Sequence, residues 1–399
     1  MDGCPVHACG NALLNGLPKR GGGLIAAQRV SQFFFESLHG DGIVGPSALR
    51  PGCAFNVAPR TGQSGMGNIP VLHDPSEVTT AWLEAALGRR VLAMQRSEAA
   101  STWAAQVRLV VHLEGEPAPL KLRVKLASAQ VFGRGEVDYY LHTFADLADR
   151  PLVRCHHAAA DDTHYHLLLD DLAETHRNQD DVPVTIEYGR GLVESLAKLH
   201  AHRWTLTPPG AATLQASLRE PLAGLPTMLA AMADGFTAEE RAQVAQVFGE
   251  LPGALARRAE NPAGFAWVHG DLNPGNILAP IATPAPVLLI DYQPFADVPV
   301  HDRLAMTDLA HAMVLWWPEE ARRSLAWPLV EHWHARLQSH GAGYASATQL
   351  REDWRLSVAQ ALLVPASRCS EPGAVTQHRW LWQMHVRRAL SALADLDAG

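Results

Sequence analysis

Three residues that are separated along the sequence carry side chains suited to holding a metal ion beside a phosphate. Asp271 and Asn276 lie five positions apart, and Asp291 follows fifteen positions later. Carboxylate and amide oxygens are hard ligands, and Mg²⁺ is commonly bound by one or two carboxylates together with the phosphates of a substrate. If the three side chains converge, the sequence predicts a site for magnesium and phosphate.

Two short apolar segments, residues 277–279 and 287–290, are expected to bring these side chains together. The stretch at residues 279–286 holds three prolines and no regular apolar period, which is typical of a loop. We interpret the two segments as the strands of a β-hairpin. Asn276 then precedes the first strand and Asp291 follows the second, so both project from the open end of the hairpin.

Phosphoryl transfer needs such a set, with one Asp to accept the proton of a hydroxyl and an Asn and a second Asp to hold metal. The order resembles the kinase catalytic loop H-R-D-x-x-x-x-N followed by D-F-G; here it reads HGDLNPGN at residues 269–276 and IDYQ at residues 290–293. This version resembles the aminoglycoside phosphotransferase and choline kinase family, and its Asp-Tyr-Gln ending resembles the ecdysteroid-kinase-like branch. The alternative is a loop of turn-forming residues between two core strands.

The resemblance implies an α+β, protein-kinase-like fold of two lobes, a small N-lobe built on an antiparallel sheet and a larger, mainly helical C-lobe. We expect the N-lobe at residues 66–172 and the C-lobe at residues 173–399. Residues 1–65 are Gly-rich and sparse in charge, and we expect them to form a loosely ordered extension outside the catalytic fold.

Residues 107–113 and 120–126 alternate apolar and polar positions, as half-buried strands do. The second segment resembles the kinase strand whose Lys binds the α- and β-phosphates of ATP, which makes Lys125 the cofactor-binding candidate. The alternative is an edge strand with a solvated basic face. Glu136, near the start of a helix predicted over residues 133–144, is the expected partner of Lys125, and Asp138 is the second candidate.

Four further residues are candidates for binding the cofactor. Ser101 and Thr102 lie in a turn that occupies the place of the phosphate-covering loop. That turn contains no glycine, which would let the backbone approach a phosphate closely, so hydroxyl and N–H groups would have to bind the phosphate instead. The alternative is a plain hairpin turn that does not bind phosphate. Asp170 and Asp171 end the apolar segment 166–172, which resembles the connection between lobes where backbone binds adenine, so their side chains need not touch the ligand.

Further helices are predicted from apolar spacing and capping residues, at residues 77–87, 187–202, 239–248, 254–258 and 379–396. Asp74 or Ser76 is expected to cap the first of these, and Gly88 to end it. Asp308 resembles the Asp of the family's Asp-Leu-Ala helix, which braces the catalytic loop through hydrogen bonds.

Composition narrows the possible partners. A net charge of −8 and a pI near 6.2 argue against a nucleic-acid-binding protein, which would have a basic face. No apolar run approaches the roughly 18–20 residues that cross a bilayer, so no membrane partner is expected. Five scattered cysteines indicate reduced thiols and a cytoplasmic location.

The resemblance implies an ATP-dependent phosphotransferase with Mg²⁺, in which Asp271 is the catalytic base and Asn276 and Asp291 hold the metal. Gly270 replaces the Arg with which protein kinases sense a phosphorylated loop, which favours a small hydroxylated molecule, a metabolite or an antibiotic, as acceptor. A nucleotide-binding pseudokinase without turnover is the alternative, and a metal-dependent phosphohydrolase is a third reading. The pattern does not choose among aminoglycosides, steroids and macrolides, nor does it indicate an oligomeric state.

Overall fold

The computed structural model describes residues 69–99, 104–204, 208, 210–282, 284–292, 303–371 and 373–398. The extension at residues 1–65, together with Ser101 and Thr102, lies outside the described residues. An antiparallel sheet comes first along the chain and a mainly helical part follows. The predicted α+β architecture, with an antiparallel sheet followed by a mainly helical part, is therefore confirmed.

The sheet has five antiparallel strands in the spatial order β1-β2-β3-β5-β4. The strands are β1 Val91–Ala99, β2 Ala104–Leu113, β3 Leu120–Ser128, β4 Cys155–Ala160 and β5 His164–Asp170. In β2 the alternate residues Val107, Leu109, Val111 and Leu113 are buried, as predicted. Because β3 lies between β2 and β5, the alternative reading of β3 as an edge strand is wrong.

Apolar side chains cover both faces of the sheet. On one face the helix α1, Thr80–Leu87, packs Trp82 and Leu83 against alternate residues of β2 and β3. Thr79 caps α1 and Gly88 ends it in the left-handed conformation, whereas Asp74 caps a separate short turn, Pro75–Glu77. The predicted helix over 77–87 is therefore shorter, because Pro75 and its cap form a turn of their own.

The helix predicted over residues 133–144 is present as two pieces, and a further short helix precedes them. Helix α2 spans Ala129–Phe132, α3 spans Gly135–Asp138 and a π-helical turn spans Tyr139–Thr143. Because the wider turn changes the period, Tyr139 is buried, whereas Leu141 is 43% exposed. The pieces pack on the second face of the sheet and join the core of the helical part.

The helical part contains nine labelled helices among the described residues. They are α4 Ile186–His202, α5 Ala211–Ala231, α6 Ala238–Arg258, α7 Met306–Ala310, α8 Glu319–Ser339, α9 Ala347–Gln360, α10 Leu363–Arg368, α11 Ala374–Gln377 and α12 Arg379–Ala398. Helix α4 agrees with the prediction. Helix α6 joins the two segments predicted at 239–248 and 254–258 through Pro252, and α5 was not predicted. Within the described ranges, no helix combines the length and apolarity needed to cross a bilayer.

The predicted hairpin is present and is paired on both sides. Strands β6 His176–Asn178, β8 Ile277–Pro280 and β9 Leu288–Leu289 form an antiparallel sheet in the order β6-β8-β9. On the outer side of β9, Leu289 bridges Leu152 and donates its N–H to the carbonyl of Pro151 at 2.9 Å. The strand β7, Phe265–Ala266, which leads into the loop at 267–276, pairs with β10, Arg303–Leu304.

Candidate active site

The loop between β7 and β8 is held by the buried carboxylate of Asp308 on α7. Its Oδ2 accepts the backbone N–H of His269 at 2.6 Å and its Oδ1 accepts that of Gly270 at 2.9 Å. His200 donates from Nε2 at 3.1 Å, because its Nδ1 accepts the indole N–H of Trp333 at 3.3 Å. Burial alone would raise the pKa of Asp308, but the hydrogen bonds from His200 and Gly270 outweigh burial and lower it. The predicted brace is therefore present.

His269 ties the same loop to the hairpin. Its Nε2–H donates to the carbonyl of Ile290 at 2.9 Å, and its Nδ1 accepts the backbone N–H of Asp271 at 3.4 Å. The intervening Gly270 has φ 86°, a left-handed conformation that glycine adopts without steric cost. The backbone of Asp271 is therefore positioned by the ring before it.

Two amides of the loop hold Asp271. Asn273 donates from Nδ2 to Oδ2 of Asp271 at 3.1 Å, and Asn276 donates from Nδ2 to the carbonyl of Asp271 at 2.9 Å and to its Oδ2 at 3.3 Å. The carbonyl of Asn276 in turn accepts the N–H of Ile290 at 3.1 Å. Asn276 therefore joins the loop that carries Asp271 to the strand that leads to Asp291.

Lys125 on the central strand β3 binds the partner expected from the sequence. Its Nζ lies 2.7 Å from Oε2 of Glu136, whose side chain is only 4% exposed. The hydroxyl of Tyr165 on β5 donates to the same oxygen at 2.9 Å. The second candidate, Asp138, is paired with Arg134 instead.

Asp291 reaches the same lysine from the hairpin. Its Oδ1 forms an ion pair with Nζ of Lys125, and its φ of 60° is a left-handed conformation uncommon for a residue with a side chain. Burial lowers the pKa of Lys125, but the carboxylates of Asp291 and Glu136 outweigh burial and raise the pKa well above its usual value. The next residue, Tyr292, stacks on Tyr139 with ring centroids 3.6 Å apart. The surrounding packing thus fixes an otherwise unfavourable backbone.

The two acidic residues at the end of β5 use their carboxylates within the protein. Asp170 lies 2.6 Å from Nε2 of His156. Asp171 pairs with Arg108 at 3.3 Å and with Arg123 at 3.5 Å. Both carboxylates therefore have partners within the protein, and binding of a cofactor by the backbone at this point stays a prediction.

Sequence reasoning did not identify His311 as part of the site. It begins a π-helical turn, His311–Trp316, directly after α7, and its Nε2 lies 3.6 Å from Oδ1 of Asp271. Burial lowers the pKa of His311, and the nearby Asp271 carboxylate opposes that shift. The sequence could have identified His311 by its position three residues after Asp308. That spacing is about one helical turn, so both side chains would lie on the same face of a helix expected to face the loop.

The donor set fits magnesium. Asp271 can only accept hydrogen bonds at its carbonyl and carboxylate, so the amide nitrogen of Asn276 must face it and the amide oxygen is left for a cation. One carboxylate oxygen of Asp291 meets Lys125, and in the part of the chain that the structure describes the other has no hydrogen-bond partner. Amide and carboxylate oxygens are the ligands that Mg²⁺ prefers.

Comparison with known proteins found similarity in structure only. No family model matches the sequence, and no curated protein matches it significantly. A spectinomycin phosphotransferase in complex with ADP and spectinomycin is 12% identical, with a TM-score of 0.45 over 79% of this chain and 97% of the other.

Two metabolite kinases are similar to the same extent. An ethanolamine kinase of Plasmodium vivax is 8% identical, with a TM-score of 0.47 over 80% of this chain and 84% of the other. A choline kinase of Cryptosporidium parvum is 9% identical, with a TM-score of 0.47 over 76% of this chain and 93% of the other. The closer resemblance to the ecdysteroid-kinase-like branch stays a prediction. The chain is thus similar to phosphotransferases and metabolite kinases of the kind that its motifs resemble.

Proposed function

We propose that this chain is an ATP-dependent phosphotransferase that transfers the γ-phosphoryl group of Mg-ATP to a hydroxyl of a small molecule. The observation that carries the proposal is the meeting of two separately built halves of a site. Lys125, from the sheet, contacts Glu136 and Asp291. Asp291 follows the second strand of the hairpin, and Asn276, which precedes the first strand at the same open end, donates to the carbonyl of Asp271.

Each residue has a task that its contacts support. Lys125, kept charged by two carboxylates, would bind phosphate oxygens through Nζ. Asn276 and Asp291 would hold the metal, which when bound supplies positive charge next to the phosphates. Asp271 would orient the acceptor hydroxyl and take its proton at a carboxylate oxygen.

The Asp271 carboxylate is pre-oriented for that task. Its Oδ2 accepts from the amides of Asn273 and Asn276, and its Oδ1 lies beside His311. Because both oxygens have neighbours on the protein, the side chain is held in one position before an acceptor arrives. Such positioning is a larger part of phosphoryl transfer than strong base chemistry.

We also propose that the N-lobe ends near residue 173. Along the chain, the last strand of the five-stranded sheet is β5, which ends at Asp170. The next strand, β6, pairs with β8 of the hairpin. Residue 173 therefore lies between the last strand of one unit and the first strand of the other.

The decisive experiment is acceptor-dependent release of ADP by the purified full chain, screened against aminoglycosides, macrolides, amino alcohols and steroids. We expect turnover with at least one class, and loss of about 10²–10⁴-fold in Asp271→Ala, the usual contribution of a positioned general base. Binding of ATP should survive in that variant, since Lys125 and Asp291 remain.

A matched control is Asp146→Asn, because Asp146 is 70% exposed and its ion pair, with His202, lies outside the proposed site. This variant should keep full activity. Binding of ATP without turnover by any acceptor would favour a pseudokinase, and release of phosphate without ATP would favour a hydrolase. Equal activity in Asp271→Ala and the unmodified chain would refute the proposed role of Asp271.

A further inference from the structure

Three side chains with the chemistry of metal ligands meet on the outer surface of the sheet. His73 lies in the segment that enters α1, whereas Asp161 lies in the turn between β4 and β5 and His164 is the first residue of β5. One ligand atom from each residue lies within 4.8 Å of those of the other two. None of the three takes part in the site described above.

The surrounding hydrogen bonds fix the carboxylate of Asp161. Its Oδ1 accepts the backbone N–H groups of Thr163 at 2.7 Å and His164 at 2.8 Å, together with the Thr163 hydroxyl at 2.8 Å. Its Oδ2 is left facing Nε2 of His73 at 2.6 Å.

Hydrogen bonds also hold the imidazole of His164 and the backbone of His73. Nδ1 of His164 lies 2.9 Å from the Thr163 hydroxyl, and the backbone N–H of His73 donates to Glu77 at 2.6 Å. The two rings are stacked, with centroids 4.5 Å apart. Because His73 is about half exposed, a rotation that turns its nitrogen toward a common ion displaces no buried side chain. Hydrogen-bonded ligands of this kind are typical of metal sites, where neighbouring groups hold the ligand orientation.

We propose that His73, Asp161 and His164 bind a divalent transition-metal ion, with Zn²⁺ as the reference ion. Two imidazoles and a carboxylate suit Zn²⁺, with water completing the coordination, and they do not suit Mg²⁺, which prefers oxygen ligands. The alternative is a surface ion pair between His73 and Asp161 that binds no metal.

Metal at this position would join two distant parts of the chain. Leu72, next to His73, is buried and donates its N–H to the buried His166 on β5 at 3.1 Å. An ion bound by His73 and the β4–β5 turn would therefore hold the entry segment against the sheet. The full chain should unfold at a higher temperature when Zn²⁺ is present.

The test is titration of the chelator-treated full chain with Zn²⁺ by calorimetry and thermal unfolding, and with Co²⁺ by visible absorption. We expect one Zn²⁺ site that raises the unfolding temperature, a Co²⁺ band from nitrogen and oxygen ligands, and affinity at least roughly tenfold weaker in His164→Ala. Mg²⁺ at the same concentration should cause no shift. None of these readouts depends on catalysis, so they do not depend on the proposed function.

The control is His142→Ala, because His142 is exposed and lies 3.7 Å from Asp138, again an imidazole beside a carboxylate. It should bind Zn²⁺ like the unmodified chain. If His164→Ala is unstable without metal, Asp161→Asn provides the second test, since an amide keeps an acceptor for the turn but is a poor ligand. Unchanged Zn²⁺ affinity in His164→Ala or Asp161→Asn, or an equal loss in His142→Ala, would overturn the proposal.

Discussion

Replacing Asp308 with Asn is the sharpest probe of how the loop at residues 267–276 is held. The carboxylate accepts three N–H groups, two from the loop residues His269 and Gly270 and one from His200. Asn has nearly the same shape but offers only one acceptor oxygen. If the Asn oxygen takes the position of Oδ2 of Asp308, the Asn amide nitrogen takes the position of Oδ1 and must face the N–H of Gly270.

The expected loss in the free energy of unfolding follows from the number of hydrogen-bond acceptors. At least one hydrogen bond to a charged acceptor is lost, which is worth about 1.5–3 kcal/mol, and a donor is left facing a donor in a buried position. We expect Asp308→Asn to lower the free energy of unfolding by about 2–4 kcal/mol. Because the pKa of Asp308 is lowered in the folded state, its carboxylate stabilises the fold above its unfolded pKa of about 3.9, and this contribution is lost as the pH falls toward and below that value.

Urea unfolding and ATP turnover should be measured together, with Asp353→Asn as the matched control. Asp353 is equally buried and accepts two N–H groups from Arg258, at 2.5 and 2.8 Å, and neither residue belongs to the loop at residues 267–276. Both variants should lose stability, but only Asp308→Asn should lose turnover when the two are compared at equal fractions folded. Equal turnover in the two variants, or unchanged stability in Asp308→Asn, would refute the reasoning.

Two further predictions concern packing away from the loop. Burial lowers the pKa of His166 to about 3, whereas the unfolded chain titrates near 6.5, so stability should fall by about 2 kcal/mol between pH 7 and pH 5 from this group. His166→Gln should remove most of that loss in urea unfolding at the two pH values; an unchanged dependence on pH would exclude His166 as its source. A Cβ at Gly224 on α5 would lie 1.9 Å from the carbonyl of Ala366 on α10, so Gly224→Ala should cost about 1–3 kcal/mol or more. Gly249→Ala on α6, where a Cβ meets no atom within 4 Å among the described residues, should instead stabilise by about 0.5–1 kcal/mol, and similar effects of the two changes would contradict this account.

The parts of the site that the sequence predicted are local ones. Asp271 and Asn276 are close because five residues of loop allow little else, and the hairpin follows from two apolar strands around a proline-rich turn. The alternation of β2 and β3 placed Lys125 on one face, although the neighbours that make β3 a central strand come from elsewhere in the chain.

The features that the sequence did not predict have physical causes beyond the local sequence pattern. Helix α5 was not predicted because it contains Pro221 and Pro226, and each proline removes a backbone donor. Packing against α10 nevertheless holds the helix. The π-helical turn exchanges Tyr139 for Leu141 at the core, which a period of 3.6 residues cannot predict. His311 meets Asp271 across forty residues of sequence, and only tertiary packing brings them together.

The hairpin at the centre of the site makes backbone contacts with the segment that precedes β4. Leu289 is bridged to Leu152 and bonded to Pro151, and this segment leads directly into β4. Lys125 and Asp291, by contrast, are joined through a single pair of side-chain atoms. If the sheet tilts away from the helices, the motion would pivot about the backbone contacts of Leu289, and the ion pair between Lys125 and Asp291 would break. The gap would thus open first between Lys125 and Asp291.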